Sequence, residues 1–187
     1  DGITLSTLSP EELIAFRRTR LSMVFQSFAL FPHLSVLGNV GFGLEIQGLP
    51  DPVRKRRARD WLSRVGLDGY ADAWPSELSG GMRQRVGLAR ALAVEATIML
   101  MDEPFSALDP VTRADLQSLL LSVQAELGRT IIFVTHDFAE AERLASQLAI
   151  LDSGRLVQVG TPKEIINSPA NAAVANLAAA AMRAVAD

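Results

Sequence analysis

Two short apolar runs, IMLM at 98–101 and IIFV at 131–134, carry no polar alternation. That pattern predicts strands buried in a parallel sheet. LSMVF at 21–25 predicts a third short strand. Other apolar positions recur at helical spacing. Met82, Val86, Ala89 and Leu92 or Ala93 form one stripe, with Arg83, Gln84, Arg85 and Arg90 off it. Leu116, Leu119, Leu120, Val123 and Leu127 form another, which reads as plain core. At 53–65 the helix is mostly basic, with Trp61, Leu62 and Val65 turned inward. Segments 147–151 and 156–159 flank Asp152-Ser153-Gly154-Arg155 and predict an antiparallel hairpin.

Helix starts are marked by capping chemistry. Ser9-Pro10-Glu11-Glu12 and Thr161-Pro162-Lys163-Glu164 each combine a hydroxyl cap, a proline at the first position and a glutamate that reaches back. Asp51-Pro52 and Asp109-Pro110 are simpler versions, and Gly128 closes the helix that Asp109 opens. Residues 1–8 read as the end of a strand and a loop. From Ala170 the composition turns alanine-rich, which favours helix but demands little burial, so a frayed or weakly docked tail is expected.

Composition adds bounds. The 187 residues are enough for one domain with a real core, and 49% hydrophobic with 21% charged residues is ordinary for a globular chain. A net charge of −3 gives no reason to expect a nucleic-acid partner. No cysteine occurs, so neither a disulfide nor a thiolate metal site is expected. No run of about 18 apolar residues reads as a membrane span.

The chemistry concentrates at 78–110, LSGGMRQRVGLARALAVEATIMLMDEPFSALDP. Ser79 is a plausible N-cap, and Gly80 and Gly81 leave the backbone bare where a helix begins, an arrangement that favours an anion. The strand at 98–101 delivers adjacent carboxylates, Asp102 and Glu103, to the strand end where α/β proteins bind ligands. Two acids there suit one Mg²⁺ site and one group that handles water.

These residues resemble the motifs of ATP-binding cassette (ABC) ATPases. Leu78-Ser79-Gly80-Gly81-Met82 resembles the signature motif, 98–103 the Walker B strand with its catalytic glutamate, and Ser106-Ala107-Leu108-Asp109 the D-loop. Gln26, after the first strand, resembles the Q-loop glutamine. His136, in Thr135-His136-Asp137, resembles the H-loop switch. The resemblance runs from Asp1 to about Asn171. It implies an α/β fold with a P-loop NTPase-like (RecA-like) parallel-sheet core at 1–35 and 88–169. A helical subdomain would occupy 36–87, ending in the signature, and 170–187 would be a tail.

For function, the resemblance implies an ATP-hydrolysing subunit with Mg²⁺. Glu103, His136 and Gln26 would be catalytic, and Asp102 with Gln26 would face the metal. Ser79, Gly80, Gly81 and Asp109 would contact nucleotide and a second copy in a homodimer. The apolar segment 27–48 includes Phe28, Leu30, Phe31 and Leu34, which are either core or an exposed patch for transmembrane permease subunits; the resemblance favours the patch for 28–34, with His33 a surface or contact residue. No membrane span and no nucleic acid are implied, and the place is the cytoplasmic face of the inner or plasma membrane. The basic helix at 53–65 reads as a solvated face rather than a regulatory or lipid-binding patch.

Within the family the chain is most similar to ATPases of glycine betaine/proline importers. The matching stretches are SMVFQSFALFPHLSVLGNVGFGLEIQG, ELSGGMRQRVGLARALA and QVGTPKEIINSPAN. Pro104 stands where that group often has alanine. Importer ATPases for polyamines or sulfonates, a degenerate non-hydrolytic ABC partner or regulatory module, and a DNA-repair ABC ATPase are the alternatives. No G-x-x-x-x-G-K-[ST] occurs. That P-loop, Walker A, supplies the phosphate cradle and lysine, and in the family it lies N-terminal to Asp1. The chain is therefore expected to be a fragment lacking the first strands, poor at binding ATP alone and negligible in hydrolysis.

Overall fold

The computed structural model describes residues 2–106 and 108–184. The chain forms two compact units, divided between Val134 and Thr135.

The first unit opens with a short 3₁₀ turn, Leu5–Thr7, where sequence reading expected a strand end. Its turn is closed locally by Thr7 N donating to the Thr4 carbonyl. Helix α1 (Pro10–Arg20) follows with the complete capping box: Ser9 accepts from Glu12 N, and Glu12 accepts from Ser9 N. Strand β1 is Leu21–Val24. Helices α2 (Val36–Ile46), α3 (Asp51–Arg64) and α4 (Gly80–Ala93) precede strand β2 (Ile98–Asp102). Helix α5 (Pro110–Leu127) then leads to strand β3 (Thr130–Val134).

The three strands pair in the order β1-β2-β3, all parallel, with Val24 opposite Met101 and Asp102 opposite Val134. Burial alternates along β2: Met99 and Met101 are buried, Ile98 and Leu100 only partly. The expectation of strands buried on both faces fails most clearly at β3. Its Ile132 is 54% and its Val134 60% exposed, because they share the bare face of the sheet with Met23, opposite the face that buries Val24, Met99 and Met101. A continuous apolar run fits a strand covered on both sides, but the sheet here is covered on one.

The core of this unit comes from the helices. Val36, Val40 and Leu44 of α2 meet Ala58, Trp61 and Leu62 of α3 and Val86, Ala89 and Leu92 of α4. Burying the valine and leucine side chains among these supplies about 1.5–3 kcal/mol each. Gln84, read as off the α4 stripe, is buried too, since α4 is covered by both α2 and α3. Asp51 does not cap α3; the N-cap is Pro50, and Asp51 is the first helical residue. There its carboxylate binds Arg54 at 2.6 Å and Lys55 at 2.8 Å. Arg57 pairs with Glu95 and Arg64 with Glu126, so the basic face of α3 is extensively neutralised by neighbouring acids.

The second unit contains α6 (Phe138–Leu144), the hairpin β4 (Leu148–Asp152) and β5 (Arg155–Gly160), α7 (Pro162–Asn167) and α8 (Ala172–Ala184). Ser153 and Gly154 both take positive φ at the hairpin turn, as a primed turn requires. The alanine-rich segment is not a frayed tail over the residues described. Val174 and Ala178 are buried in a core with Phe138, Ala141, Leu148 and Ile165. Small side chains let α8 approach closely enough to bury them. Val185, Ala186 and Asp187 lie outside the described residues.

Candidate functional site

Strand β2 ends by turning its two acids out of the sheet. Asp102 is the last strand residue and is exposed; Glu103 is half-buried and leaves the strand with φ +43°. A left-handed conformation at a non-glycine residue costs about 1–3 kcal/mol, and such strain clusters at functional sites. Three contacts hold it. Glu103 N donates to the Val134 carbonyl at 3.0 Å, and the Glu103 carbonyl accepts from Ser106 N at 3.3 Å and Ser106 Oγ at 3.1 Å. Phe105, almost fully buried, anchors the same loop.

Gln26 reaches this carboxylate from the end of β1. Its Nε2 donates to Glu103 Oε2 at 3.2 Å across 77 residues of sequence. Parallel pairing of β1 with β2 places the two strand ends side by side, which brings the amide and the acid together. Gln26 sits in a turn closed by Phe28 N donating to the Phe25 carbonyl at 2.9 Å. Phe28 and Ala29 then take φ +61° and +41°.

The signature segment is built as the sequence implies. Ser79 caps α4, accepting from Met82 N at 3.3 Å, and Gly80 has open space where a side chain would project. A Cβ on Gly81 would lie 3.3 Å from Thr112 Cγ2, so the bare backbone lets this helix tip approach the start of α5. Asp109 caps α5 through Val111 N at 3.1 Å and Thr112 N at 3.0 Å. The hydrogen bond from Thr112 holds its carboxyl below the ordinary carboxylate value. Its observed work is capping. Ala107, the second residue of the D-loop motif, lies outside the described residues.

His136 belongs to the second unit and is exposed. Its neighbours are tightly fixed. Thr135 Oγ1 donates to Glu140 Oε2 at 2.7 Å and accepts from Asp137 N at 3.0 Å, while Asp137 caps α6.

Segment 28–34 is neither simple core nor an exposed patch. Phe28, Leu30, Phe31 and Leu34 are all half-buried, and the Phe31 ring packs on Phe42 with centroids 4.4 Å apart. Asn39, fully buried, organises it. Its Oδ1 accepts from Phe31 N at 2.8 Å, and its Nδ2 lies within 3.0–3.1 Å of the carbonyls of Phe31, Leu34 and Ser35. Sequence reading passed over Asn39; the available signal was one amide inside the apolar VLGNVGFGL helix. It also passed over Arg90, whose guanidinium donates to the Phe28 and Ala29 carbonyls.

Residues 2–106 match the family model described as ABC transporter. The chain belongs to the ABC transporter family. Its fold agrees: an ABC structure described as a dimeric post-hydrolysis state of the ATP-binding cassette MJ0796 bound to ADP and Pi matches with TM-score 0.78. That match has 34% identity and covers 87% of this chain and 71% of the other. Among ABC proteins, the glycine betaine/proline betaine transport system ATP-binding protein ProV of Salmonella typhimurium is 54% identical over 171 residues, 91% of this chain and 43% of that protein. The glycine betaine/carnitine transport ATP-binding protein GbuA of Listeria monocytogenes is 53% identical, with the same coverage. The chain thus spans less than half the length of these curated ABC relatives. Among the described residues no helix is long and apolar enough to cross a membrane.

Proposed function

We propose that this sequence is part of the ATP-hydrolysing subunit of an ABC importer for glycine betaine or related quaternary amines. The contact from Gln26 to Glu103 supports it most. It pairs a water-positioning amide with a strained carboxylate at a strand end, beside a second acid. The names of the similar proteins support the substrate class.

Each residue then has a task. Glu103 takes the proton of the attacking water or fixes its position, and Gln26 orients it. His136 donates to the γ-phosphate from the loop after β3. Asp102 would hold Mg²⁺. Among the described residues no group of three or more acids and histidines could cage a metal. One or two carboxylates fit Mg²⁺, which keeps several waters and takes its other ligands from nucleotide phosphates. When bound, the ion would neutralise the negative charge of the phosphates during transfer. Ser79, Gly80 and Gly81 present their helix tip to nucleotide held by a second copy, and Asp109 shapes that contact. In this reading 36–87 is the helical subdomain, 1–35 with 88–169 the ATPase core, and the surface at 28–34 meets the permease on the cytoplasmic side.

The test is uptake of labelled glycine betaine in membranes where this sequence is the ATP-binding subunit, with ATP hydrolysis followed together. The reading expects betaine to stimulate hydrolysis. Stimulation by a polyamine or a sulfonate instead would reject the substrate class, and uptake without hydrolysis would reject the activity.

A further inference from the structure

The turn that aims Gln26 is not self-supporting. Phe28 and Ala29 both take left-handed conformations, which are strained outside glycine. Their carbonyls point at one side chain. Arg90 Nη2 donates to the Phe28 carbonyl at 2.7 Å and Nη1 to the Ala29 carbonyl at 2.8 Å. A planar guanidinium matches two adjacent acceptors in one fork, which an ammonium cannot do. The Phe31 ring lies 5.7 Å from the Arg90 guanidinium carbon. One turn earlier on α4, helix and loop lie side by side: a Cβ on Gly87 would stand at an ordinary contact distance, 3.5 Å, from Phe28 Cβ. Burial also lowers the Arg90 pKa from its ordinary value, as expected for a guanidinium withdrawn from water to serve this purpose.

We infer that Arg90 is a positioning residue: through the Phe28 and Ala29 carbonyls it locks the 25–29 turn, and so holds the Gln26 amide against Glu103. The geometry makes α4 a strut whose capped tip carries Ser79 and whose far half carries the Gln26 turn. The catalytic consequence rests on the ATPase reading above; the positioning itself does not.

The experiment is therefore run on the 187-residue chain, with Arg90→Met and Arg90→Lys. It reads the side-chain amide resonances of Gln26 and the hydrogen exchange of Phe28 N, which donates to Phe25. Arg90→Met is expected to move the Gln26 amide signals and speed exchange at Phe28 at least tenfold, while amides within α4 stay protected. Arg90→Lys is expected to fall between it and the unaltered chain, and it decides the matter if Arg90→Met does not fold. Unchanged Gln26 signals in a folded variant would overturn the proposal. So would loss of protection along all of α4 in step with Phe28, which marks general destabilisation. In an ATPase assembly containing this sequence, Arg90→Lys should lower kcat with KM for ATP within about twofold, as loss of an interaction made in the transition state would. If the unaltered assembly has no turnover, the ATPase reading fails, and the amide measurements still judge Arg90.

Discussion

Gln26 donates from Nε2 to Oε2 of Glu103 at 3.2 Å, joining the ends of two strands 77 residues apart. Neither residue is buried in an apolar pocket, so the bond is kept by backbone geometry: the parallel register of β1 on β2, the positive φ of Glu103 and the turn after Gln26. A water held between such a pair and a phosphate would be oriented before reaction, which is where much of a hydrolytic rate advantage arises.

These 187 residues alone should show negligible Mg·ATP turnover. The phosphate cradle and lysine of a P-loop are absent from the sequence. Steady-state phosphate release by the purified chain, at the level of a Glu103→Gln control, is the expected outcome. Release clearly above that control would contradict it.

Replacing Asn39 should destabilise the first unit. Asn39→Leu removes the acceptor for Phe31 N and the amide group shared among the Phe31, Leu34 and Ser35 carbonyls, and it leaves buried groups unpaired, a loss of roughly 2–4 kcal/mol. Urea unfolding should show a lower midpoint with an unchanged slope. An unchanged midpoint would mean that the loop does not need its amide.

The docked α8 makes a second stability prediction. Val174→Ala opens a cavity beside Phe138 and Ile165 and should cost the second unit roughly 1–3 kcal/mol. Hydrogen exchange of α6 and α7 amides would report it. Unaltered protection there would restore the view of 172–184 as a loosely attached tail.

Helix caps set a pH dependence. Hydrogen bonding, from Thr112 foremost, depresses the Asp109 pKa in the folded chain below 3.8. A depressed folded pKa stabilises fully above the unfolded value and is lost as pH falls through the folded one. Glu12 and Glu164, held below 4.5 by Ser9 and Thr161, act in the same direction. The unaltered chain should therefore lose stability more steeply than Asp109→Asn as pH drops below about 4, because asparagine still caps but does not titrate. Parallel curves from thermal melts would contradict this.

Much of this was legible in the sequence because it is local. Caps are written within four residues, so Ser9, Ser79, Asp109 and Thr161 were readable; Asp51 was misread because a proline on each side allows the helix to start one residue earlier. Strands β1, β2 and β3 were readable from their apolar runs, but how far each is buried was not. Burial depends on what covers the sheet, a non-local matter, and Ile132 and Val134 look the same in sequence whether covered or bare. The contact of Gln26 with Glu103 was accessible only through motif resemblance. The left-handed backbone at Glu103, Phe28 and Ala29 left no trace, since none of these positions is a glycine. Arg90 and Asn39 escaped for a related reason: both act on backbone carbonyls, which every residue has.

The most direct measurement is single-turnover hydrolysis by a protein in which this sequence is joined to a P-loop segment, comparing Glu103→Gln with the unaltered protein. Mg·ATP should bind both equally, and the variant should hold it unhydrolysed, with the rate down roughly 10²–10⁴-fold. Hydrolysis at the unaltered rate would contradict this.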